Sequence, residues 1–188
     1  RACMTLSRRR LAQATALLAL PGLGLDTFAQ RAKDTLVLGM VLEPSPGLDP
    51  TTGAAAAIGE VVHYNVLEGL TKLTDSGAVL PLLATDWVSD PDGKTYTFKL
   101  RSGVRFQDGT PFNAEAVKFS FERAKAPDST NKAKKTVFDN ISSIATPQAD
   151  VVILTLNNPD ATLPFRLGEA PAVILSPKSA ATTATQPV

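Results

Sequence analysis

The residue types that carry chemistry are few in this 188-residue chain, and their spacing restricts what they do. His63 is the only histidine, so a zinc centre built on two or three imidazoles is ruled out. Its place beside Val62 and Tyr64 on an expected helix points to a surface or core-edge role. Cys3 is the only cysteine and precedes Met4, the expected start residue; a mature chain without it has no disulfide, thiol nucleophile or thiolate metal site. Asp90-Pro91-Asp92-Gly93 has the look of a calcium-loop fragment, but the later acidic ligand is missing at the required spacing, and a hairpin turn accounts for it better. No Gly-x-Ser-x-Gly elbow, phosphate-cradling loop or dinucleotide fingerprint occurs, so no catalytic residue, cofactor or metal is expected.

Charge narrows the partners further. Residues 1–30 hold four of the 19 basic side chains (Arg1, Arg8, Arg9, Arg10) and one of the 18 acidic ones (Asp26). The remainder is therefore mildly acidic, which gives no electrostatic footprint for nucleic acid. Lys132, Lys134 and Lys135 form the single basic cluster and read as a solvated face.

The basic head Arg8-Arg9-Arg10 and the apolar stretch Leu11 to Leu25 have the layout of a secretory signal peptide over residues 1–30. Ser7-Arg8-Arg9-Arg10-Leu11 resembles the twin-arginine export signal. Cleavage is expected near Ala29 or Ala32, with no lipid-anchor cysteine there and no membrane insertion afterwards.

Several elements are expected to build the body. Thr35 to Leu42 reads as a buried strand, ended by Pro44 and Pro46. Ile58, Val61, Val62, Asn65 and Val66 recur at helical spacing, with Gly69 placed as a left-handed cap. Trp87-Val88-Ser89 and Thr95 to Leu100 flank the Asp90–Gly93 turn as a hairpin, with Tyr96, Phe98 and Leu100 on its buried face. Val104 and Phe106 continue that face to a second turn at Asp108-Gly109. Asn113 is the expected N-cap of a helix over Ala114 to Ala124 whose stripe is Ala114, Val117, Phe121 and Ala124; Phe119, off the stripe, predicts packing on two sides. Phe138 to Ala145 and Val151 to Leu156 read as paired strands, followed by a short helix near Ala161 to Leu167, a strand at Ala172 to Leu175 and an unpatterned tail from Ser179. The class is mixed α/β.

The run from Leu83-Ala84-Thr85-Asp86-Trp87 through Gly93-Lys94-Thr95-Tyr96-Thr97-Phe98-Lys99-Leu100-Arg101, Gly103-Val104-Arg105-Phe106 and Asp108-Gly109-Thr110-Pro111-Phe112-Asn113-Ala114-Glu115-Ala116-Val117 closely resembles the signature of bacterial extracellular solute-binding proteins of family 5, the peptide/nickel class serving ABC importers. Leu48-Asp49-Pro50 and Val66-Leu67-Glu68-Gly69-Leu70 resemble flanking motifs of the same family. The resemblance implies an α/β, periplasmic-binding-protein-like fold of type II, two-lobed with an extra subdomain. Residues 31–188 would be the N-terminal part of the solute-binding domain, the first lobe largely present and the second not reached.

It further implies capture of a di-/oligopeptide or glutathione-like solute, delivery to an ABC permease with its ATPase subunits, a periplasmic location of the Gram-negative type, and a monomer. Lys118 to Asn140 looks most like the peptide and glutathione branch; nickel complexes, sugars, opines, a sensor receptor or an exported enzyme are the alternatives. The cleft-facing stretches implied are Glu43-Pro44, along which a peptide is laid by backbone pairing, Ala57 to Glu60 (with Ile58 and Glu60), and Thr136 to Phe138 (with Val137 and Phe138).

Overall fold

A computed structural model describes residues 39–44, 47–52 and 56–180. The expected signal peptide, its cleavage region, Thr35 to Leu38 of the first expected strand, and residues 181–188 of the tail lie outside the described residues. The chain divides into two compact units, Arg1–Gly39 and Met40–Val188, and every element below belongs to the second.

Helix α1 (Ala56–Val62) buries Ala57, Ile58 and Val62. A small antiparallel ribbon follows, β1 (Thr71–Leu73) against β2 (Val79–Pro81), in the register Thr71↔Pro81 and Leu73↔Val79. The main sheet starts with β3 (Ala84–Ser89) and β4 (Thr95–Leu100), crosses helix α2 (Ala114–Lys125), and is completed by β5 (Ile141–Gln148) and β6 (Val151–Leu156). Its order is β3-β4-β6-β5 with every pair antiparallel. Two short helices, α3 (Leu163–Arg166) and α4 (Pro177–Ala180), close the described chain.

Alternation decides which sheet face is covered. Tyr96, Phe98 and Leu100 on β4 and Val152, Leu154 and Leu156 on β6 are buried, and they join Ala114, Ala116, Val117, Phe121 and Ala124 of α2 in one core. Pairs Tyr96↔Leu154 and Phe98↔Val152 set these side chains opposite one another, so a one-residue slip would expose the whole row. Phe121 meets Phe138 with ring centroids 5.4 Å apart. The α2 face is wider than the expected stripe, since Ala116 and Ser120 are buried as well, while Phe119 stays half-buried.

Local signals account for the ends. Asn113 caps α2, its side chain accepting the Ala116 N–H at 3.0 Å, with Glu115 in the first turn and Arg123 and Lys125 in the last. In the β3–β4 turn, Asp90 N–H donates to Thr95 O and Gly93 N–H to Asp90 O, both at 2.9 Å; Gly93 has φ of +66°, where a side chain would be strained. The Asp92 carboxylate accepts the Lys94 N–H at 2.9 Å, so it serves its own turn.

Four expectations are corrected. Gly39 to Leu42, the described part of the first expected strand, pairs with no described strand, and Val41 and Leu42 are exposed; without a ladder partner the extended backbone is not held as a strand. Helix α1 stops at Val62, and the left-handed residue is Tyr64 (φ +63°), not Gly69. Gly69 is required for a different reason: a Cβ there would lie 2.5 Å from the Leu167 carbonyl oxygen.

Phe138 to Asn140 forms a 3-10 turn, because Val137, Phe138 and Ile141 are all buried, a spacing that a strand would send to opposite faces. Ala172 to Leu175 is not a strand either. Ala170–Ala172 is a 3-10 turn opened by Pro171, and the buried Val173-Ile174-Leu175 segment is attached through Ile174 N–H to Glu68 O at 2.8 Å.

Candidate functional site

The six cleft residues expected from the resemblance separate by exposure. Ile58 and Val137 are 1% exposed and Phe138 0%, so these side chains fill the interior. Val137 and Phe138 sit together in the main core, with the Phe138 ring against Phe121. Glu43 is exposed, Pro44 half-buried, and Glu60 exposed on the outer side of α1. Of the six, only these three keep their side chains outside the packed interior. Neither carboxylate has an ion-pair partner among the described residues.

Between Glu43-Pro44 and α1 runs the loop Gly47 to Thr52, and it is tied down by side chains. Asp49 Oδ1 accepts from Thr51 N–H at 2.8 Å and from Thr51 Oγ1 at 2.6 Å. Asp49 Oδ2 accepts from Arg123 Nη2 of α2 at 2.9 Å, and Arg123 Nη1 donates to Thr51 Oγ1 at 2.5 Å. Thr130 Oγ1 donates to Thr52 O at 2.6 Å. Thr51, Thr52, Arg123, Asp128, Ser129 and Thr130 line a polar hollow of about 190 Å³ beside this anchor.

A second hollow, about 240 Å³, lies between the Tyr64–Glu68 segment and the Val104–Gln107 strand-like stretch, floored by Leu83, Phe112 and Ile174. Gln107 bridges its rim by donating to Val66 O at 2.7 Å. Tyr64 is held at its edge: its hydroxyl donates to Gly168 O at 2.7 Å and accepts the Leu73 N–H at 2.9 Å. His63 stacks on Tyr64 at 3.8 Å between centroids. Burial lowers its pKa, the Gly168 backbone partly offsetting this, and its Nε2 is buried without a hydrogen-bond partner. A place at the core edge is one of the two that its sequence position predicts.

Asp108 is the most perturbed acid. Hydrogen bonds from Ser176 Oγ (2.5 Å) and from Thr110 Oγ1 (2.5 Å) and N–H (2.8 Å) hold its pKa down at about 2. The carboxylate thus ties the tip of the 105–111 turn to the segment leading into α4. Sequence reasoning missed both the Asp108–Ser176 and the Asp49–Thr51–Arg123 clusters. Their partners lie 68 to 74 residues apart, and no periodicity joins them.

Among the described residues, no group of three or more His, Cys, Asp or Glu is placed to hold a metal ion, and no helix is long and apolar enough to cross a membrane. The arrangement is a packed α/β body with a clamped loop.

Such a body, with its hairpin and capped helix, carries the signature residues of one family of bacterial proteins. The chain belongs to the bacterial extracellular solute-binding proteins, family 5, whose pattern (described as the family 5 Middle) matches residues 78–188. It is 33% identical over 132 residues to the glutathione-binding protein GsiB of Salmonella typhi, covering 70% of this chain and 25% of that protein. Among solved structures, the PBP AgaA in complex with agropinic acid, from A. tumefaciens R10, superposes with a TM-score of 0.70 at 32% identity, over 77% of this chain and 29% of that one. The periplasmic binding protein DppA from Helicobacter pylori, in complex with the peptide STSA, gives a TM-score of 0.61 at 27% identity, over 73% of this chain and 30% of that one. The chain therefore spans about a quarter of the length of the curated relatives it matches.

Proposed function

We propose that this chain supplies the first lobe of an extracytoplasmic solute-binding protein that captures peptides of the di-/oligopeptide or glutathione-like kind and hands them to an ABC permease powered by ATPase subunits. It binds without turning its ligand over. Export by the twin-arginine route, residence in a Gram-negative periplasm and a monomeric state belong to the same reading. The observation that carries it is the 33% identity to a glutathione-binding protein over 132 residues, together with the family match. Glu43 and Pro44 then border the bound peptide backbone, and Glu60 lies at the margin of the cleft.

A second reading keeps the fold and changes the solute to an opine. It is favoured by the AgaA structure, solved with agropinic acid and 32% identical. The discriminating experiment is native mass spectrometry with thermal shift on the full-length protein, screened against glutathione, di- and oligopeptides, agropinic acid and nickel complexes. A ligand that binds only the native state raises Tm by mass action, about 2.7 kcal/mol at a hundredfold excess over Kd. A rise with glutathione or peptides supports the proposal; a rise with agropinic acid alone replaces it by the opine reading.

A further inference from the structure

Arg123, in the last turn of α2, is turned toward a loop and spends both terminal nitrogens on it. Nη2 donates to Asp49 Oδ2 at 2.9 Å and Nη1 to Thr51 Oγ1 at 2.5 Å. The guanidinium and the Asp49 carboxylate keep only 27% and 16% of their side-chain surface exposed. Asp49 turns its other oxygen back on Thr51, and Thr51 itself is 6% exposed. The three side chains form a closed ring of charge-assisted bonds.

We infer that Arg123 is a positioning residue: by gripping Asp49 and Thr51 from the last turn of α2, it sets the path of the loop that carries Glu43-Pro44 on one side and α1 with Glu60 on the other. This rests on the proposed role of those residues at the cleft. The physical reason is one of entropy. Gly47 to Thr52 makes no strand or helix of its own, so the course of these residues is fixed by side-chain anchors to the body. α2 is suited to be that anchor, being capped at Asn113 and buried along its length against β5 and β6. Only an arginine provides two parallel donors in a planar fork; a lysine at 123 reaches Asp49 or Thr51 but not both with the same geometry.

The test uses the full-length protein with reduced glutathione as the probe, and reads amide hydrogen exchange over residues 40–52 beside Kd and Tm. Arg123→Met is expected to speed exchange at Thr51 and Thr52 and to raise Kd about tenfold, the equivalent of losing one charge-assisted hydrogen bond. Arg123→Lys is expected to recover part of both effects, and Thr51→Val, which removes the hydroxyl that accepts from Arg123 and donates to Asp49 but leaves the Arg123–Asp49 ion pair, to give an intermediate Kd. Should Arg123→Met fold poorly, the lysine and valine variants carry the comparison. Unchanged exchange at Thr51 and Thr52 overturns the inference, and so does faster exchange with an unaltered Kd. If the unaltered protein takes up no glutathione, the peptide reading is what fails, and the exchange measurement alone then decides whether Arg123 holds the loop.

Discussion

Asp108 shows how one carboxylate joins two parts of the chain that are 68 residues apart. Its oxygens accept from Ser176, then from the Thr110 hydroxyl and amide, and the ionised form is favoured in the folded state. A pKa held at about 2, against 3.8 ordinarily, means that the unfolded chain binds the proton first as pH falls. The stabilisation is therefore complete above pH 4 to 5 and disappears between about pH 4 and pH 2. Asp108→Asn is expected to lower Tm at pH 6 and to leave it nearly unchanged at pH 2. Thermal unfolding of both proteins across that range checks this; a Tm difference that persists undiminished at pH 2 would show that the carboxylate's charge is not what stabilises the turn.

At the scale of elements, burial ranks the consequences of substitution. Phe121 is 1% exposed, at the junction of α2, the sheet and the Phe138 turn, so Phe121→Ala is expected to cost about 3–5 kcal/mol. Val88 points from β3 to solvent, and Val88→Thr is expected to change stability by no more than about 0.5 kcal/mol. Urea unfolding of the two variants measures the contrast, and similar losses from both would contradict the assigned sheet faces. The same faces explain what was legible beforehand. The β3–β4 hairpin, the Asn113 cap and the α2 stripe are local patterns of two, three or four residues; the first two appear as read, and the stripe does so with Ala116 and Ser120 added to it. The Phe138 turn and the Val173–Leu175 segment were not, because their residues are buried by contacts far along the chain rather than by alternation. The cleft residues divided for the same cause: Ile58, Val137 and Phe138 have the hydrophobicity of either a pocket wall or a core, and only packing distinguishes the two.

For the molecule as a whole, the argument turns on how much of a ligand one wall can cover. Small-molecule sites bury roughly 70–90% of the ligand surface, and a two-lobed binder reaches that by closing around its solute. Solute favours closure only through contacts absent from the open form, so affinity resides in having both walls. This chain spans about a quarter of its curated relatives, and under the proposed function Glu43, Pro44 and Glu60 would offer a solute one side only. Residues 40–188 expressed alone are therefore expected to bind reduced glutathione with a Kd weaker than about 1 mM, which corresponds to roughly 4 kcal/mol. Grafted in place of the matching quarter of GsiB, the same residues are expected to restore binding, since the second wall is then supplied. Calorimetric titration of the two proteins makes the comparison. A micromolar Kd for residues 40–188 alone would mean that a complete site lies within this one lobe, and would move attention from Glu43 and Glu60 to the hollow between Tyr64 and Gln107.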